Sequence, residues 1–298
     1  MTTILEKTAG LVAFVRTADS GSFSAAARSI GTSPSAVSKS VARLEKRLGA
    51  RLVQRSTRAL KLTAEGSAYY ERVAPLLRAI EDAEDVLQLS GEASGLLRVT
   101  APIEFGRTVI ARWLEPFAAR HPLLKIELRL TDRQVDLVRE GFDVAVRMGH
   151  LPDGDLVGRK LAHFETVLIA SPIYLANRGH PRDVNDLKDH AILRYLLGQE
   201  PQPIPFADGS TLLGDGPFDA NDGATLKQAA VSGAGIAYMM RLAVEDEIAS
   251  GRLVQVLPDV ALPKVPVYVL HAYGRMLPGR IRLFTDFMVE QAKAMLKP

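Results

Sequence analysis

Apolar residues recur at helical spacing through the first ninety positions of this chain, then give way to short strand-like runs. From about Leu5 to Ala18, Leu11, Phe14, Val15 and Ala18 share one face and predict a first helix. Phe23, Ala26, Ala27 and Ile30 stand at i, i+3, i+4 and i+7 and predict a short second one. Gly31 sits where a helix stops in a left-handed residue, and Ser33 and Pro34 follow as a cap and a first helical position. Val37, Val41, Leu44 and Leu48 then make the apolar stripe of a third helix, which Gly49 ends. Opposite that stripe lie Ser35, Lys39, Ala42 and Lys46, with Ser38 and Arg43 on the flanks. Small hydroxyls, a methyl and cations on one open face suit a helix lying in a DNA major groove. A plain helical hairpin with a solvated face would show the same stripe. The turn, caps and spacing in combination favour helix-turn-helix.

After Gly49, two short extended pieces flank a polar, basic tip between Arg51 and Thr63. They read as a β-wing, which would bring Arg55 and Arg58 near phosphates; a basic surface loop is the plainer alternative. From Ala64 to about Leu89, Tyr69, Val73, Leu76, Ile80, Ala83 and Leu87 recur at spacings of four and three, a heptad seam. Such a helix is ~39 Å long and exceeds what a small winged domain can cover. The same helix of a second subunit is the simplest partner, with packing on its own chain the alternative. Pro75 inside it predicts a kink. Ser90–Gly95 reads as a linker.

Beyond the linker, strands are expected at Leu96–Thr100, Ile126–Leu130, Val144–Met148, Val167–Ala170 and Val267–His271. Helices are expected at Phe105–Arg120, Val135–Glu140, Thr225–Ser232, Leu242–Ser250 and Pro278–Leu296. Alternation of this kind predicts α/β architecture with largely parallel sheets, and ligands bound outside the carboxyl ends of strands.

Charge sharpens the division. Residues 1–62 carry eleven Lys and Arg against Glu6, Asp19 and Glu45, whereas the whole chain of 298 residues is only +3. A basic head on a mildly acidic body is the electrostatic footprint of a DNA-binding module joined to something else. The chain has no cysteine, which excludes disulfides, thiolate nucleophiles and zinc fingers. The start has no signal-peptide character, and the uncharged run Ala229–Met240 is shorter than the ~18 residues of a membrane span. The expectation is a soluble, cytoplasmic protein that is not an enzyme and carries no cofactor or metal. His121, His150, His163, His180, His190 and His271 lack ligand spacing, and Gly233-Ala234-Gly235 is only a fragment of a dinucleotide fingerprint.

These motifs together give the chain a resemblance to the LysR-type transcriptional regulators, over its whole length and to their CrgA-like branch. Its carriers in the head are Gly21-Ser22-Phe23, Ala25-Ala26-Ala27, Ser33 to Ser38, Leu44-Glu45, Leu48-Gly49, Arg55, and Leu62-Thr63 with Gly66. In the body they are Asp132-Arg133, Asp136 to Val138, Glu140 to Gly149, Ser171-Pro172, Tyr174-Leu175, Asn221 to Gly223 and Gly233 to Ala237. The resemblance implies a winged helix-turn-helix over 1–63, a dimerisation helix over 64–90, and an effector domain over 91–298 like a type 2 periplasmic binding protein. Lobe one would hold 96–163 and 266–298, lobe two 164–265, with crossings near His163 and Val265. It also implies a homodimer, or a dimer of dimers, on interrupted palindromes of double-stranded DNA, and a small-molecule effector between the lobes. Val53 stands where many relatives carry phenylalanine, Met239-Met240 where proline is usual, and Gln199–Pro205 lacks the tryptophan often seen nearby.

The DNA candidates are Ser33, Pro34, Ser35, Ser38, Lys39, Ala42, Arg43, Lys46, Arg55 and Arg58. The effector candidates are Thr100, Pro102, Ile103, Thr131, Arg147 and Gly149 after the first three strands, and Tyr195, Asn221 and Gly223 from the second lobe. Arg147 either meets an anionic ligand or pairs structurally with Asp143 or Glu104. Two other functions share this architecture: an enzyme or solute carrier with a DNA-binding head, and a DNA-binding scaffold that ignores ligands.

Overall fold

The structure is a computed structural model that describes residues 4–55, 60–87, 93–149, 151, 156–274 and 277–295. The chain forms two compact units, Met1–Leu89 with Val138–Gly141, and Ser90–Leu137 with Phe142–Pro298.

In the first unit, α1 (Ile4–Ser20), α2 (Phe23–Ser29) and α3 (Pro34–Leu48) are followed by an antiparallel pair, β1 (Val53–Arg55) and β2 (Leu60–Leu62), and by α4 (Ala64–Leu87). Each short helix begins on a side-chain cap. The Ser22 hydroxyl accepts from the amides of Ser24 and Ala25, and the Ser33 hydroxyl from that of Ala36 at 3.2 Å. Gly31 and Gly49 take φ of 65° and 66°, the left-handed conformation that lets the chain turn off α2 and α3. Phe14, Val15, Ala26, Ala27, Val37, Val41 and Leu44 bury together with Leu52 and Val53 of the wing. Leu48 does not join them: as the last residue of α3 it is 40 % exposed.

Three contacts weld α3, the wing and α4 together. Oε1 of Glu45 accepts from the Leu52 and Val53 amides at 2.8 and 3.1 Å. The Thr63 hydroxyl donates to the Arg51 carbonyl at 2.6 Å and accepts from the Gly66 amide, capping α4. Gly66 lies so close to the wing that a Cβ there would stand 1.9 Å from the Leu52 carbonyl oxygen. The heptad seam of α4 divides accordingly. Tyr69 and Val73 pack on the core of the head, whereas Leu76 and Ile80 are 66 % and 59 % exposed. The side chains of Ala83 and Leu87 lie outside the described residues, and α4 runs on through Pro75.

The second unit comprises β3 (Gly95–Ala101), α5 (Ile103–Phe105), a π-turn (Gly106–Ile110), α6 (Ala111–Arg120), β4 (Leu124–Leu130), the start of α7 (Leu137–Glu140, of which Val138 onward belongs to the first unit), β5 (Val144–Met148), β6 (Val157–Phe164), β7 (Thr166–Ala170) and α8 (Pro172–Arg178). It continues with β8 (Ile192–Leu197), β9 (Glu200–Pro201), β10 (Ile204–Pro205), β11 (Thr211–Leu212), β12 (Asp219–Ala220), α9 (Gly223–Val231), β13 (Ile236–Met240), α10 (Glu245–Ala249), β14 (Val254–Val256), β15 (Val265–His271) and α11 (Gly279–Met295). One sheet has the order β4-β3-β5-β15-β6, the other β12-β8-β13-β7-β14 with β9 beside β8. The chain passes from the first sheet to the second at Glu165 and returns before Val265, and Phe164 and Val265 are register partners.

The sheets are mixed rather than largely parallel. β3 pairs parallel with β4 and β5, and β8 with β12 and β13, but β15 and β7 run antiparallel to both of their neighbours. Each crossing delivers its strand against the direction of the sheet it enters. The helix expected at Phe105–Arg120 begins earlier and contains the π-turn. That expected at Val135–Glu140 is confined to Leu137–Glu140, because Val135 is used in an apolar cluster with Ala145 and Leu270. The helix expected at Thr225–Ser232 starts at Gly223 on an Asp222 cap, and Leu242–Ser250 breaks at Val244 into a 3-10 turn and α10. One apolar cluster runs from Leu97 and Val99 in the first lobe to Val167 and Leu193 in the second. Among the described residues no helix is long and apolar enough to cross a membrane.

Candidate DNA interface and effector cavity

Because Val37, Val41 and Leu44 anchor one side of α3, its opposite side is held outward. Ser35, Lys39, Ala42, Arg43 and Lys46 are exposed there and Ser38 is half-buried at the margin. Ser33, already committed to capping, stands 3.1 Å from the Ser35 hydroxyl, and Pro34 fixes the first turn. The Arg43 guanidinium reaches back to Ser40 at 3.4 Å. The side chain of Arg55 and the whole of Arg58 lie outside the described residues.

In the second unit a cavity of about 470 Å³ opens between the sheets, within the range that holds small-molecule ligands. Lobe one contributes Pro102 and Glu104 beyond β3, Thr131 and Asp132 beyond β4, and Arg147 and Met148 at the end of β5. Lobe two contributes Ile192 to Tyr195 of β8, Gly223 and Leu226 of α9, and Tyr238 to Met240 of β13. The walls are chiefly apolar, and most of their polar atoms are already engaged. Asp132 accepts from the Ile103 amide at 3.0 Å and from the Tyr195 hydroxyl of the other lobe at 2.5 Å. Burial, then that hydrogen bond, pushes the Tyr195 phenol well above its ordinary pKa. Arg194 is held by both oxygens of Asp219, at 2.6 and 2.9 Å, and by the Gly214 carbonyl. Arg147 donates to the Val146 carbonyl at 2.7 Å and to the Thr100 hydroxyl at 3.5 Å. Arg107, in the π-turn, crosses to Asp222 at 3.3 Å. Burial raises the Glu104 carboxyl above its usual value, against the pull of Arg107 and Lys227.

The comparisons agree along the whole chain. Residues 9–67 match the bacterial regulatory helix-turn-helix protein, lysR family, and residues 90–293 match the LysR substrate binding domain. The chain belongs to the LysR family of transcriptional regulators. Among curated relatives, a transcriptional repressor of Pseudomonas aeruginosa is 37 % identical, covering 96 % of this chain and 92 % of that protein. The regulator CrgA of Neisseria meningitidis is 33 % identical, covering 94 % and 95 %. The solved structure of CrgA is similar over 98 % of this chain and 99 % of that one, at a TM-score of 0.63 and 31 % identity. That of the Vibrio cholerae virulence activator AphB covers 94 % and 98 %, at 0.62 and 27 %. This LysR regulator is therefore a DNA-binding transcription factor with an effector-binding domain, from a family of regulators rather than enzymes.

Of the effector candidates, the fold brings Pro102, Thr131, Arg147, Tyr195 and Gly223 to the cavity of this LysR regulator. It leaves four outside. Thr100 is fully buried within β3 and serves Arg147 through its hydroxyl; Ile103 spends its amide on Asp132. Gly149 turns away at φ 82° with its amide on Pro266, and Asn221 is exposed before the α9 cap. The alternative pairing of Arg147 with Asp143 is excluded, since Asp143 accepts from the Arg98 amide at 2.7 Å and binds Arg280 at 3.1 Å in the core. Sequence reasoning passes over Glu104 and Asp132 as candidate contacts. The signal that could find them is a carboxylate one to three residues beyond a parallel strand, beside Ile103 and Thr131.

Proposed function

We propose that this regulator binds interrupted palindromes of duplex DNA as a dimer, or a dimer of dimers, working in the cytoplasm. The units of function would be a winged head over 1–63, the helix over 64–90 and an effector domain over 91–298, in lobes 96–163 with 266–298 and 164–265. The observation that carries the reading is the open face of α3, where Ser35, Lys39, Ala42, Arg43 and Lys46 stand free of the buried stripe. Ser35, Ser38 and Lys39 would meet base edges, Ser33, Pro34, Arg43 and Lys46 would set the helix on the backbone, and Arg55 and Arg58 would hold phosphates from the wing. Leu76 and Ile80, exposed on α4, support pairing with a second copy along that helix.

A small molecule in the inter-lobe cavity would control the response, touching Pro102, Thr131, Tyr195 and Gly223, with any anionic group on it directed to Arg147. Its influence on DNA binding is bounded by its differential affinity for two arrangements of the protein, typically ~1–3 kcal/mol of coupling. Selection of bound duplexes from a random pool, followed by footprinting, tests the DNA reading. A palindromic consensus is expected that Lys39→Ala relaxes. Failure to enrich any sequence at low salt would overturn it.

A further inference from the structure

We infer that the effector cavity is built for a molecule with an apolar body and a hydrogen-bond-donating, cationic head, and that Glu104 receives that head. The inference deepens the effector reading above and rests on it. Its basis is a comparison of what each charged wall group already has. Arg194 is engaged by Asp219 and Gly214, and both oxygens of Asp132 have donors. The Arg147 guanidinium serves Val146 and Thr100 within its own lobe. Glu104 differs among these four: it lines the cavity, and its buried Oε2 has no hydrogen-bond partner among the described residues. An unmet acceptor of this kind is costly, and a donor that satisfies it recovers the cost.

The surroundings of Glu104 point to a cation rather than an anion. Asp132 and Asp222 act on it together with Arg107 and Lys227. Arg107 is spent on Asp222, while Lys227 is spent on Glu247 and the Ala243 carbonyl. A protonated amine beside Glu104 would restore the charge that burial opposes, whereas a carboxylate there would add to the crowding of acids. Gly223 shapes the same place from the other lobe: a Cβ on it would come 2.8 Å from Glu104 Oε2, so glycine lets α9 approach this carboxylate without displacing it.

The test uses the full-length chain and three probes of one skeleton, 2-phenylethylamine, 2-phenylethanol and phenylacetate, titrated calorimetrically. The amine is expected to bind most tightly, with the alcohol next. Glu104→Gln, which keeps size and removes the charge, should weaken the amine about tenfold or more and leave the alcohol nearly unchanged. Glu104→Asp should recover part of the loss, and a cooperative melt of Trp113 fluorescence would show both variants folded. Tighter binding of phenylacetate, lost in Arg147→Ala, would overturn the inference and keep the effector reading of the cavity. Amine binding unaffected by Glu104→Gln, or absent at millimolar concentration, would also overturn it. The effector reading itself fails on a different measurement, a DNA footprint indifferent to every cavity ligand.

Discussion

Replacing Glu45 by Ala removes a carboxylate oxygen that holds the wing to α3, so it isolates what that joint contributes. Oε1 accepts from the Leu52 and Val53 amides at 2.8 and 3.1 Å, and the side chains of both residues are buried. A hydrogen bond to a charged group contributes ~1.5–3 kcal/mol. Two on one oxygen are not additive, and Glu45 is half-exposed, so a loss of about 2–3 kcal/mol from the wing joint is expected. At 1.4 kcal/mol per tenfold, amide exchange in the wing should accelerate about 30- to 150-fold. The Thr63 amide, bonded to the Leu52 carbonyl at 3.0 Å, reports this while keeping its own acceptor. Mass-spectrometric exchange on a peptide spanning 60–66 of the full chain therefore reads the effect. Glu45→Gln keeps an acceptor oxygen and should show roughly half the free-energy change. Exchange within about twofold of wild type in the Ala variant would refute the reasoning, as would equal effects in both variants.

Leu76→Asp with Ile80→Asp should convert the oligomer to monomer by light scattering without unfolding the head, because both side chains are exposed within one chain; an unchanged mass would reject pairing along α4. Replacing Arg43 or Lys46 by Ala should lower the slope of log affinity against log salt by ~0.9 for each phosphate that is no longer neutralised, measured by fluorescence anisotropy. Glu104 holds its proton more tightly folded than unfolded, so its contribution to stability is present below the ordinary carboxylate value and is lost as pH rises through the raised one. Glu104→Gln should flatten that part of the pH–stability curve, followed through Trp113, and a curve identical to wild type would contradict the buried carboxylate.

The head was legible because its signals are local. Ser22 and Ser33 cap the helices that follow them, and Gly31 and Gly49 turn the chain where the apolar spacing ends. The second unit was less legible because its strands carry weaker patterns. β6 begins Val157-Gly158-Arg159-Lys160 and is exposed over that half, so no alternation marks it. β13 is buried on nearly every residue and sits in an uncharged run, which reads equally as a helix segment. Strand direction is decided by the two inter-lobe crossings, and no local residue encodes it. The cavity followed the same division. Pro102, Thr131 and Arg147 lie after or at the ends of strands whose cores were read correctly, while Ile192, Leu193 and Met239 belong to strands that were not. The paired exposure of Leu76 and Ile80 is visible in the heptad, yet the docking of Tyr69 and Val73 on the head depends on how α4 leaves the wing.

That departure carries a mechanical consequence. With Glu45 pinning the wing to α3, Thr63 tying Arg51 to the first turn of α4, and Gly66 seated against Leu52, the start of α4 is tied to the wing and through it to α3. The outward face of α3 and the first turns of α4 would then behave as a handle fixed to a shaft ~36 Å long. A turn of the shaft about its axis would be carried through these contacts to α3. Two such shafts lying side by side would set the distance and angle between their handles as a pair of calipers does. An effector would then speak to the promoter by resetting the calipers, with the grip of each tip left as it was.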